Sequence, residues 1–163
     1  MNPFNKTNRP IFIGVVHLPP LPGSPVDASL SLKQVTALAI EDARRLKQGG
    51  VDGLIIENFG DSPFNRDHVE PATVAMMTRI ALEIRQITED LKLGINVLRN
   101  DANAALAIAA ATDADFIRIN VHTGTMVTDQ GTITGKARET LLQKKRYQLS
   151  TQIAADVHVK HAA

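Results

Sequence analysis

The chain has 163 residues, 44% of them hydrophobic, and its 18 Lys and Arg are nearly balanced by 17 Asp and Glu for a formal charge of +1. That length buries a core of its own, the composition excludes a disordered chain, and the charge balance leaves no basic stripe for a nucleic-acid backbone. With no cysteine, disulfides, thiolate zinc sites and thiol nucleophiles are excluded, and no run of about 18 apolar residues offers a bilayer-spanning helix.

In chain order, residues 1–10 read as a polar N-terminal tail carrying Asn2, Asn5, Lys6, Asn8 and Arg9, without the apolar stretch of a secretory signal. A short Ile/Val-rich run predicts a strand over 11–16. Val35, Leu38, Ala39, Ala43 and Leu46 then mark one apolar helix face, closed by Gly49-Gly50. A second strand is predicted over 53–57. The next helix face is Val74, Met77, Ile80, Ala81, Ile84 and Ile87, with Pro71 where a first turn tolerates proline; the Met76-Met77 pair reads as packing. A third strand over 93–98 leads to an Ala-rich helix over 103–111, capped by Asn100 or Asp101. A fourth strand over 115–121, a helix over 136–149 and a fifth strand over 152–159 complete the pattern.

Short apolar runs without polar alternation predict strands buried on both sides, and their alternation with helices predicts a parallel sheet with right-handed crossovers. An open doubly wound sheet and a closed barrel both fit that order. The first strand runs into His17-Leu18-Pro19-Pro20-Leu21-Pro22-Gly23, which lacks the spaced glycines of a dinucleotide site. The expected fold is therefore α/β: residues 11–163 as part of a TIM-type (β/α)₈ barrel, truncated to about five β/α units.

Side chains alternate along a strand, so parity assigns faces. Glu57 opposes Leu54 and Ile56; Asn96 opposes Ile95 and Val97; Arg118 and Asn120 oppose Ile117, Ile119 and Val121. Asp156, His158 and Lys160 oppose Val157 and Val159. The aliphatic side would meet the helices and the polar side the barrel axis. Charge buried there without a partner costs several kcal/mol per group, on the order given in. These residues therefore form either a self-satisfied ion-pair network or a wet pocket at the mouth. Glu57, Asp156, His158 and Lys160 are the candidate catalytic groups. Glu57 suits a general base or a clamp for Arg118, and Lys160 suits a Schiff base or an ion pair with Asp156. Candidate ligand contacts are His17, Asn58, Asn96, Arg99, Asn100, Asp101, Arg118, Asn120 and Asp129, at strand ends and in the loops 58–64, 99–101 and 122–131. The last of these is long for a βα loop and reads equally as a lid or as a merely decorative surface loop.

Glu57, Asp156, His158 and His161 are oxygen and nitrogen ligands, but their spacing matches no metal motif and no metal is assigned. No phosphate-loop, zinc-protease or nucleophile-elbow pattern occurs, so no cofactor is named. The fragments Ile13-Gly-Val-Val-His17-Leu-Pro-Pro-Leu-Pro-Gly23, Gly49-Gly-Val-Asp-Gly53, Glu57-Asn-Phe-Gly-Asp-Ser-Pro-Phe64 and Gly94-Ile-Asn-Val-Leu-Arg-Asn-Asp101 stand in order. So do Asp115-Phe-Ile-Arg-Ile-Asn120, Met126-Val-Thr-Asp-Gln-Gly131 and Ala155-Asp-Val-His-Val-Lys-His161.

Together these fragments resemble the BtpA/SgcQ family. The resemblance implies a TIM-type barrel of unsettled activity. One role, a small-molecule enzyme acting on a phosphorylated sugar or related metabolite, rests on the convergent polar residues at the strand ends. Another, which the resemblance implies, is a non-catalytic peripheral membrane factor for biogenesis of photosystem I reaction-centre proteins. The implied location is cytoplasmic or peripheral at a membrane, with a small-molecule ligand or membrane-complex proteins as partners. Family members continue well past the segment that ends this chain, so an inactive truncated fragment is a third expectation. Its open sheet edges would then favour self-association.

Overall fold

The computed structural model describes residues 9–26 and 28–159. Most of the tail expected over 1–10 lies outside the described residues, as do Lys160 and His161.

Five short segments rich in Ile, Val and Leu pair as parallel strands: β1 (Ile13–His17), β2 (Gly53–Glu57), β3 (Lys92–Asn96), β4 (Phe116–Ile119) and β7 (Gln152–Ala155). Their order in the sheet, β1-β2-β3-β4-β7, follows chain order, so each crossover returns the chain to the adjacent position. The crossovers carry α1 (Leu32–Gln48), α2 (Pro71–Ile87), α3 (Ala102–Thr112) and α4 (Ala137–Arg146). These pack side by side, α1 on α2, α2 on α3 and α3 on α4, as a layer over one face of the sheet. The strand-order reversal of a doubly wound sheet is absent among the described residues.

Local chemistry sets the helix ends. Ser31 caps α1 by accepting from the Gln34 N–H, while the Gln34 side chain accepts from the Ser31 N–H; Pro71 opens α2. Of the two caps anticipated for α3, Asp101 is the one used, its Oδ1 accepting from the Ala104 N–H at 3.0 Å. Val16, Leu54, Ile56, Leu93, Ile95, Ile117 and Ile119 point into the helix layer. They meet Val35, Ala39 and Ala43 of α1, Met77, Ile80 and Ile84 of α2, and Leu106 and Ile108 of α3 in one buried cluster. Each such side chain contributes about 1.5–3 kcal/mol on burial.

The opposite face bears no helix among the described residues. Val15 and Ile55 lie there in register, with Ile55 buried and Val15 exposed. Next along is Gly94, over which the Phe116 ring sits so closely that a Cβ would stand 2.3 Å from it. Only glycine fits beneath that ring, and Phe116 is buried as a result.

Two sequence expectations need correction. The fifth strand stops at Ala155 instead of running to 159. Its last rung, the Asp156 N–H to the Ile119 carbonyl at 3.0 Å, falls at the end of β4, so the ladder has no partner beyond it. Among the described residues the shared face therefore ends at Asp156, and His158 is exposed. The expected lid loop over 122–131 is largely a hairpin, β5 (Thr125–Thr128) against β6 (Gly131–Thr134). Ile133 and Met126 seat it on Val121 and Val159 in a second small apolar cluster.

Candidate functional site

Parallel register puts His17, Glu57 and Asn96, the last residues of β1, β2 and β3, side by side on the helix-free face. Arg118 joins them from β4, and Asp156 follows the end of β7. Each of the five strands thus contributes one polar group at its C-terminal end.

The hydrogen bonds are dense. Arg118 donates from Nη1 to Glu57 Oε1 at 2.7 Å, and from Nε and Nη2 to the two Asp156 oxygens at 2.9 and 3.0 Å. Asn96 Nδ2 also donates to Glu57 Oε1 at 3.0 Å, and Asn120 Nδ2 to Asp156 Oδ2 at 3.0 Å. Glu57 is only 4% exposed, a burial that the Arg118 charge offsets. The Asp156 hydrogen bonds hold the Arg118 guanidinium above its ordinary pKa, against the opposing effect of burial and with help from the Glu57 charge.

A cavity of about 310 Å³ opens beside this cluster, its wall including His17, Glu57, Phe59, Arg99, Arg118 and Asn120. The His17 ring stacks on Phe59 with centroids 4.4 Å apart and planes 22° apart, and Phe64 stands 6.4 Å from Phe59. His17 Nε2 lies 3.6 Å from Glu57 Oε2. A larger hollow of about 490 Å³ lies on the outer faces of α1 and α2, away from the strand ends. There Arg79 is paired with Glu83, and the buried Thr36 hydroxyl donates to the Leu32 carbonyl of its own helix.

Asn58, Asn100 and Asp101 do not line this cavity but tie the backbone behind it. Asn58 Oδ1 accepts from the Leu98 N–H at 2.7 Å and its Nδ2 reaches the Leu98 carbonyl at 3.4 Å. Asn100 repeats the device one strand on, accepting from the Val121 N–H at 2.8 Å and donating to its carbonyl at 2.9 Å. Asp101, besides capping α3, accepts from the Val69 N–H at 3.0 Å. Asp129 sits exposed in the hairpin turn, bonded to the Gln130 amide and outside the cavity wall. Phe59, Phe64, Leu98 and Val159 line the cavity without having been singled out from sequence; aromatics flanking Gly60 in the loop after β2 were the available signal. That loop folds tightly: a Cβ at Gly60 would stand 2.3 Å from the Pro20 nitrogen.

Among the described residues no three His, Asp or Glu side chains are grouped to hold a metal ion, and no helix is long and apolar enough to cross a membrane.

Comparison with known proteins adds kinship. The BtpA family model matches residues 7–163. An uncharacterized protein of Archaeoglobus fulgidus is 51% identical over 150 residues, covering 92% of this chain and 59% of the relative. A Synechocystis protein named photosystem I biogenesis protein BtpA is 48% identical over 157 residues, 96% of this chain and 54% of the relative. An uncharacterized mitochondrial protein of Caenorhabditis elegans is 31% identical over 167 residues, 97% of this chain and 58% of the relative. The chain thus spans a little over half the length of these relatives. No solved structure matches.

Proposed function

The chain belongs to the BtpA family, and from that premise we propose that its sheet is an arc of a TIM-type (β/α)₈ barrel whose mouth binds a small polar molecule. Sequential parallel strands under a helix layer on one face support the barrel geometry, and functional groups gathered at C-terminal strand ends are where such folds bind. The observation that carries the reading is the Glu57–Arg118–Asp156 bridge, which joins the ends of three strands beside a cavity of about 310 Å³. In this reading Glu57 is the acid–base group, with His17 beside it. Arg118 holds Glu57 in place and is itself oriented by Asp156, while Asn96 and Asn120 complete the support. His158, exposed, has no part in it.

Thermal-shift screening of this chain against a metabolite library, phosphorylated and unphosphorylated sugars included, tests the reading. A ligand should raise the melting temperature of the parent protein and not that of a folded Glu57→Ala variant. A library that stabilises neither protein would remove the pocket reading.

The name of the Synechocystis relative supports a second reading, a factor for photosystem I biogenesis that works peripherally at a membrane. Co-sedimentation with membranes at low salt, released at high salt, is expected from such a factor. A protein that stays in the supernatant with membranes and photosystem complexes present speaks against it.

A further inference from the structure

Taking the pocket reading as its basis, we infer that the group received at the cavity floor is a neutral hydroxyl, carried by a polyol or sugar ring lying against Phe59, and not an anion.

The obvious anion receptor is already occupied. All three guanidinium nitrogens of Arg118 donate to carboxylates, and its one positive charge faces two negative ones. Arg99, the other cation of the wall, has a partner of its own, although its buried Nε makes no hydrogen bond among the described residues. An anion entering here would meet the buried Glu57 carboxylate head on, a like-charge contact that disfavours it.

Two acceptors of the wall remain without a donor. Glu57 Oε1 accepts from both Arg118 and Asn96, and among the described residues Oε2 accepts no hydrogen bond. Its neighbour His17 Nε2, at 3.6 Å, is beyond hydrogen-bond reach. One hydroxyl oxygen set between the two atoms would be within reach of both, donating to the carboxylate. The stack on Phe59 fixes the plane of the imidazole for that contact. Asn120 offers a second acceptor. Its Nδ2 is committed to Asp156, which sets the orientation of the amide, and its Oδ1 has no partner although the residue is only 6% exposed. That oxygen is itself buried, and a donor reaching it would satisfy it where an anion would not. Phe59 and Phe64, tilted 56° to one another, present apolar faces to the C–H side of such a ring.

The test is an NMR titration of the whole chain, labelled at His imidazole nitrogens and Phe rings. The probes are glycerol, D-ribose, D-glucose and myo-inositol, against inorganic phosphate and methylammonium at matched ionic strength. At least one polyol should shift His17 and Phe59 saturably while phosphate and methylammonium leave them in place. Glu57→Gln should weaken that binding roughly tenfold, the loss of a hydrogen bond to a charged group. Should it fail to fold, His17→Phe should do the same; its side chain is half exposed, so the fold should survive, and the ring stack is kept. Saturation by phosphate or methylammonium without the polyols overturns the inference and leaves the pocket reading standing. Silence from these probes, together with a library that stabilises nothing, overturns both.

Discussion

Arg118 is the residue on which the strand-end cluster turns. Replacing it with Ala leaves Glu57 buried without its counter-charge, and Asp156 loses two hydrogen bonds. The expected loss is about 3 kcal/mol, the low end for removing one partner of a buried ion pair, because 34% of the Arg118 side chain is in water. Urea unfolding measures it, and a double variant with Glu57→Gln should recover part of the loss; an unchanged midpoint in the single variant would mean the pair holds nothing. At the other end of the sheet Asp115 shows the opposite titration. Burial pushes its carboxyl up, but hydrogen bonds from Lys92, the Leu93 N–H and Arg85 outweigh burial, leaving the pKa below the ordinary carboxylate value. A depressed folded pKa stabilises the fold above the unfolded value of about 3.9 and loses that effect as pH falls through the folded one. Asp115→Asn should therefore be less stable than the parent at neutral pH, with the difference closing in acid. A gap that persists or widens there contradicts the assignment. Parity read from the sequence placed Glu57, Asn96, Arg118 and Asp156 together because all four lie within or one step beyond a paired strand. His158 escaped it because pairing ends at Ala155, and strand length depends on the neighbour, which local sequence does not show.

At the scale of elements, helix positions were legible from apolar spacing and capping residues, and strand cores from Ile/Val runs. The hairpin β5–β6 was not. Thr125–Thr128 and Gly131–Thr134 are only four residues each, threonine-rich and mostly exposed, so nothing separates them from a loop until Ile133 finds Val121 and Val159. The roles of Asn58 and Asn100 were equally hidden, since the backbone each amide meets lies 40 or 21 residues further along. Asn100→Ala should cost about 1–3 kcal/mol, the value of hydrogen bonds whose backbone partners are left unsatisfied. It should also speed hydrogen exchange at the Val121 amide more than at Ile117, inside β4. Equal acceleration at both positions would show global loosening instead of a freed tie.

For the molecule as a whole, the order β1-β2-β3-β4-β7 leaves β1 and β7 each paired on one side among the described residues, and Val15 exposed on the helix-free face. Unpaired parallel edges beside exposed aliphatic surface favour self-association. The sedimentation coefficient is expected to rise with concentration, and less so in Val15→Lys, which puts a charge beside the β1 edge. A concentration-independent monomer would show that these edges are protected. The paired amides of Asn58 and Asn100 bear on the same scale. They act as cross-ties that continue the lattice past the point where β2, β3 and β4 part company, so the outline of the orifice is already drawn when the chain has folded. A guest entering it meets a frame that needs no ordering on arrival, which removes a penalty that floppy entrances impose on affinity.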